Sequence, residues 1–246
     1  DSYLWKNPDA PEEKVDFADL LSMVAEISPV LRVRFSTSHP KDISDKVIDT
    51  MARYENICRH IHLPVQSGSN AMLEKMRRRY TREWYLERVG RIRKSMPDCA
   101  ITTDIIAGFC GETLQDHQDT LDIIRKVGYD YAYMFQYSER PGTLAARNYP
   151  DDIPLQEKTR RLNEIIELQN GLSLESNRRD VGKRFKVLVE GTSRRSQDEL
   201  CGRTSMNKMC VFPAKLASDG VPADGVNVLK IGDYVEVEVR SCTSAV

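Results

Sequence analysis

The feature that most constrains this chain is a unit repeated four times: a short apolar, β-rich run that breaks into a polar cluster and gives way to residues of helical spacing. The runs are LRVRF before Ser36-Thr37-Ser38-His39-Pro40, IHLPV before Gln66-Ser67-Gly68-Ser69, ITTDIIAGF before Cys110-Gly111-Glu112-Thr113, and YAYMFQY before Ser138-Glu139-Arg140-Pro141-Gly142-Thr143. Strands connected through helices lie parallel, so their C-terminal ends share one rim. Ligands sit at that rim in such sheets, and the polar clusters therefore predict one site built from four loops.

The 246 residues suffice for one sizeable core and a small second domain. Basic and acidic residues nearly cancel, 36 against 37, which excludes a global polycationic surface and leaves any RNA contact to local patches. No run of about 18 apolar residues exists and the N-terminal residues lack the order of a secretion signal, so the expectation is a soluble, cytoplasmic protein with no membrane partner. Cys58, Cys99, Cys110, Cys201, Cys210 and Cys242 lack the close pairing of a metal motif, and they read as reduced, mostly buried thiols with no metal assigned to them.

Residues 1–14, with Pro8 and Pro11 among acids, read as a loop. FADLLSMVAEI has helical spacing over 17–27, and further helices are expected over 44–54, 70–76, 82–95, 114–127 and 155–179. Thr81 suits an N-cap, and Gly128 suits a left-handed C-terminal position. From Lys183 the pattern changes to short strands, with two-residue alternation in Tyr234-Val235-Glu236-Val237-Glu238-Val239, and about sixty such residues fit a small antiparallel β-barrel. The predicted fold class is α/β: parallel strands with their helices over 1–181, then a small antiparallel β-barrel over 182–246.

Taken singly, these loops read equally as strand-to-helix turns and helix caps. Their order is more specific: RFSTSHP, HLPVQSGSNAML with MRRRYT, DIIAGFCGET, FQYSERPGT, a basic helix and a β-rich tail. Over nearly the whole chain this series resembles the radical SAM methylthiotransferases of the MiaB type. The resemblance implies that the parallel strands belong to an incomplete TIM-like barrel, a partial radical SAM barrel supplying strands three to six, followed by a TRAM domain that binds RNA. The first loop is similar to that of the tRNA enzymes that add a methylthio group to isopentenyl-modified adenosine beside the anticodon, and that reaction is the expectation. The alternatives are a sister enzyme acting on a ribosomal protein or on threonylcarbamoyladenosine in tRNA, and a clusterless RNA-binding module.

By the same resemblance the cofactors are S-adenosyl-L-methionine and two 4Fe-4S clusters, and the partners are a tRNA anticodon stem-loop and a reductant, with no DNA. The three-cysteine sets of the family have no counterpart here, so the cluster ligands are expected upstream of Asp1, the chain is read as the remainder of a longer protein, and no catalytic residue is assigned. Cys110 stands where the family most often has proline. Ser36, Ser38, Gln66 and Ser67 are expected at the ribose and amino-acid groups of the cofactor, and Arg78 at its carboxylate, with a solvated helix face or an RNA contact as the other readings of Arg78. Ile105, Ile106 and Gly108 are expected at its adenine, while Tyr137 and Arg140 face the cofactor or the target nucleoside. RNA contact is expected from Lys183, Arg184, Arg194, Arg195 and Arg203.

Overall fold

A computed structural model describes residues 3–36, 38–194, 196–216 and 227–245. The chain divides into two compact units, 1–173 and 174–246, with the division inside the helix Leu155–Arg178.

The first unit opens with β1 (Leu4–Lys6) and β2 (Lys14–Asp16), an antiparallel hairpin that pairs Trp5 with Val15. The expected loop is thus a pair of strands, each three residues long and too short to show a period. Then follow α1 (Phe17–Ile27), α2 (Asp45–Arg53), β3 (His60–His62), α3 (Asn70–Lys75) and α4 (Arg82–Ser95). β4 (Ala100–Ala107), α5 (Leu114–Val127), β5 (Tyr131–Gln136), α6 (Leu144–Asn148) and α7 (Leu155–Arg178) complete the series. Strands β3, β4 and β5 form a parallel sheet in that order, as helix-linked strands require.

LRVRF does not form a full strand; it contributes one parallel bridge, Val33 to Ile57, beside the sheet. Its backbone follows the sheet loosely, through Val33 N to Asn56 O at 2.9 Å and Ser38 N to His62 O at 3.0 Å. The loop before α7 holds the unpredicted α6, a five-residue helix capped by the Thr143 hydroxyl.

Alternation along the strands separates two faces. Ile61, Ile101, Ile105, Ala107 and Ala132 turn toward the helices and join Ile48, Met51, Tyr85, Ile92, Ile124 and Ile165 in one core. Two buried phenols cross that core, Tyr129 donating to the Tyr85 oxygen at 3.0 Å and Tyr85 donating to Leu63 O at 2.7 Å, so neither polar tip is stranded. On the other face His60, His62, Thr102, Asp104, Ile106, Tyr131, Tyr133 and Phe135 stand together, by register and alternation.

The second unit contains β6 (Arg184–Thr192), β7 (Glu199–Arg203), β8 (Met209–Pro213), β9 (Lys215–Leu216), β10 (Asn227–Val228) and β11 (Tyr234–Glu238). The antiparallel order is β11-β6-β7-β8, with β9 and β10 paired separately, so the expected barrel is seen among the described residues as a four-stranded sheet. A bulge between Val189 and Gly191 bends β6, as bulges do. Val187, Val189, Leu200, Phe212 and Val235 alternate inward to make its core.

Candidate functional site

The C-terminal ends of β3 to β5 carry the predicted rim. After β3 the chain stays extended through Pro64 and reaches Gln66, whose amide donates to Asp104 O and whose carbonyl accepts from Ile106 N, both at 2.9 Å. Gln66 holds a φ of 70°, an uncommon conformation for a residue with a side chain and one that costs about 1–3 kcal/mol. β4 is followed by Gly108, whose φ is 72°.

The loop from Gly108 to Thr113 is fixed from beneath. Glu112 accepts from the Gly108 amide and from Arg161 of α7, each at 2.8 Å, and its side chain is almost wholly out of water. The Gly111 amide donates to Asp152 at 2.7 Å. Lys158 meets Asp151 at 2.5 Å, donates to Tyr137 O at 3.3 Å and stands 5.2 Å above the Tyr137 ring. A side chain at Gly108 would collide with Lys158, so the glycine there serves packing against α7.

The placement of the expected cofactor residues divides them. Gln66 lies at the rim, bridged to Ile105, and Ser36 is exposed. Tyr137 follows β5 and packs edge-on against Phe109 with centroids 4.8 Å apart. Ser67 is fully buried and bonds Thr120 of α5 at 3.2 Å, a contact that supports the loop. Ser38 is buried too, with no hydrogen-bond partner for its hydroxyl among the described residues. Ile105 is wholly buried on the helix side and, by alternation along β4, Ile106 takes the open face. Arg78 donates through Nε to the Tyr80 hydroxyl at 3.0 Å and through Nη2 to Pro64 O at 3.2 Å. Thr37 of the first loop lies outside the described residues.

Four residues of the open face escaped the sequence reading. His62 Nε2 lies 3.3 Å from Asp104 Oδ1, and His62 Nδ1 lies 2.9 Å from the Thr102 hydroxyl, which also meets His60 Nε2 at 3.0 Å. The signal was present as His60 and His62 about Ile61 and as Thr102 and Asp104 in the run ITTDII, polar residues two positions apart that mark one polar sheet face.

For the RNA-contact set the second unit gives a charge pattern rather than a free basic patch. Lys183 pairs with Asp180 at 3.3 Å, Arg184 with Glu238 at 3.7 Å and Arg203 with Glu190 at 3.2 Å. Lys208 is held by Asp180 at 2.6 Å. Arg194 is exposed, Arg140 of the first unit is exposed on the loop before α6, and Arg195 lies outside the described residues.

The thiols do not fit an iron–sulfur cluster. Among the described residues no group of three or more His, Cys, Asp or Glu converges for a metal, and burial pushes the Cys99 thiol up to about 12, far from the thiolate that a cluster needs.

Comparison with known proteins gives three findings. Residues 7–124 match the model of the radical SAM superfamily, and residues 178–246 match the TRAM domain. Among curated proteins, "tRNA-2-methylthio-N(6)-dimethylallyladenosine synthase" from Phocaeicola vulgatus is 54% identical over 95% of this chain and 48% of its own length. The proteins of that name from Bacteroides thetaiotaomicron and Amoebophilus asiaticus are 51% and 52% identical, each over 99% of this chain and 50% of their own length. The chain spans about half the length of the curated relatives it matches. Among solved structures, coproporphyrinogen III oxidase (HemN) from Escherichia coli, a radical SAM enzyme, aligns with a TM-score of 0.53 and 16% identity over 78% of this chain and 52% of that one, a likeness of fold.

Proposed function

Because residues 7–124 of this chain belong to the radical SAM superfamily and residues 178–246 form a TRAM domain, we propose that it is the barrel and RNA-binding portion of a tRNA methylthiotransferase. The reaction would place a methylthio group on N(6)-dimethylallyladenosine beside the anticodon, with the anticodon stem-loop as substrate and a reductant as partner, in the cytoplasm. The observation that carries this reading is identity of 51–54% to proteins named for that reaction, sustained over 95–99% of the chain. No described helix is long and apolar enough to cross a membrane.

S-adenosyl-L-methionine and the 4Fe-4S clusters supply the radical and sulfur chemistry, and no step of it is assigned to the thiols of this chain. The barrel unit contributes orientation. Gln66 and Ser36 offer hydrogen bonds suited to ribose hydroxyls, and Gly108 brings bare backbone to an adenine ring. Arg161, Glu112 and Lys158 hold the Gly108–Thr113 turn in place beneath them. Exposed Arg140 and Arg194, with Lys183, Arg184, Arg203 and Arg195, are proposed to meet phosphates.

The test uses the full-length gene product, reconstituted with iron and sulfide and given S-adenosyl-L-methionine, a reductant and tRNA bearing dimethylallyladenosine. Nucleoside mass spectrometry should show the 2-methylthio product. Modification of a ribosomal protein, with the tRNA untouched, would assign the chain to the sister group instead.

A further inference from the structure

The open face of the parallel sheet carries an arrangement that the rim loops do not explain. Tyr131, Tyr133 and Phe135 are 44%, 51% and 53% exposed although they occupy a strand flanked by buried Ala132 and half-buried Met134. Alternation directs all three to one side, where Tyr133 meets Tyr131 edge-on at 5.2 Å and His62 at 5.7 Å. Three exposed aromatic rings on one strand are a standing cost in water and a ready platform for stacking.

Beside the platform stands a carboxylate. Asp104 is the register partner of Tyr133, so alternation puts it on the same face; His62 meets its Oδ1 at 3.3 Å, and the Asp104 side chain remains 28% exposed to solvent. One register step toward the rim, Ile106 pairs with Phe135, so an apolar shelf adjoins the acceptor. Acceptor, flat ring and shelf thus occur in sequence over two steps of one sheet.

We infer that this face binds an adenine whose exocyclic nitrogen carries a branched apolar substituent, with the ring stacked on Tyr133, the remaining N6–H donated to Asp104, and the substituent laid on Ile106 and Phe135. A carboxylate matches a single N–H donor, and the shelf next to it matches an alkyl group on that same nitrogen. An unsubstituted adenine, such as that of the cofactor, would use the acceptor and leave the shelf bare. The inference rests on the tRNA reading above and assigns specificity within it to Phe135 and Ile106, and positioning to Asp104 and His62.

The experiment measures affinity of the full-length protein for two anticodon stem-loop oligonucleotides, one with dimethylallyladenosine and one with adenosine, by fluorescence anisotropy at fixed salt. The wild-type protein should prefer the alkylated loop. Phe135→Ala should lower that preference by about tenfold, the scale of a lost apolar contact in a specificity pocket, and Phe135→Leu should restore most of it. Asp104→Ala should weaken both loops together, since both carry an N6–H. Circular dichroism and thermal melting establish that each variant is folded. An unaltered preference in Phe135→Ala overturns the inference, as does a wild-type protein that binds both loops equally while remaining a tRNA binder. A parallel loss in RNA-free cleavage of S-adenosyl-L-methionine would give the face to the cofactor and overturn it as well. Wild-type protein that binds neither loop would remove the tRNA reading itself.

Discussion

Glu112 and Arg161 show how much of the site depends on a contact between residues 49 positions apart. Both side chains are nearly excluded from water, so deleting one partner strands a buried charge, while deleting both strands none. Arg161→Met is expected to destabilise the protein by about 3–5 kcal/mol in urea denaturation. The double variant Glu112→Gln with Arg161→Met should lose distinctly less, and an equal loss would defeat the argument. Glu157 gives a pH signature: hydrogen bonds from Arg160 and Arg161 lower its carboxyl from 4.5 to about 2. A depressed carboxylate favours the folded state above pH 4.5 and loses that contribution as pH falls toward 2, so its side-chain NMR titration should have a midpoint near 2. An ordinary midpoint would refute the pairing. Sequence reading marks the Gly108–Thr113 turn as special but gives no hint of Arg161 beneath it, since a tertiary ion pair leaves no local pattern. It also treats Ile105 and Ile106 alike, because both are apolar and only the register places Ile105 with the core and Ile106 beside Thr102 and Asp104.

The helices were legible because each has both a period and punctuation. Thr113 caps α5 with a reciprocal box to Asp116, Thr81 caps α4, and Gly128 closes α5 at a φ of 58°. Thr113→Ala should cost about 0.5–2 kcal/mol, read as a fall in the urea midpoint at constant m. Gly68→Ala should cost more than that cap, because a Cβ there meets the backbone of Asp119 and Thr120 with no flexible side chain to yield. A melting temperature equal to the wild type would show that the loop after β3 does not press on α5. The elements that escaped prediction are short or lightly paired: three-residue β1 and β2, five-residue α6, and the single bridge at Val33. Periodicity needs more residues than these elements contain, and the extended run around Val33 has too few ladder bonds to count as a strand.

Over the whole molecule, the near balance of 36 basic and 37 acidic residues is expressed locally as pairing in the second unit. Cations already neutralised by acids release few counterions from RNA, so the slope of log K against log salt for a stem-loop should be shallow, about −2 to −4. A slope near −8 would mean that these pairs open on binding. The parallel architecture, the rim and the tail of short strands were all visible in the order of motifs, whereas the face on which each side chain stands emerged only with the register. One consequence of that register concerns hydrogen order. The Thr102 hydroxyl owns a single hydrogen but lies between nitrogens of His60 and His62. If neutral His62 gives its Nε2 hydrogen to Asp104, its Nδ1 must accept from Thr102, and Thr102 must in turn accept from His60. All three bonds then point one way, toward the carboxylate, as dipoles align in a domain of ice. Replacing Asp104 by asparagine, which can donate as well as accept, would leave the row free to run in either direction.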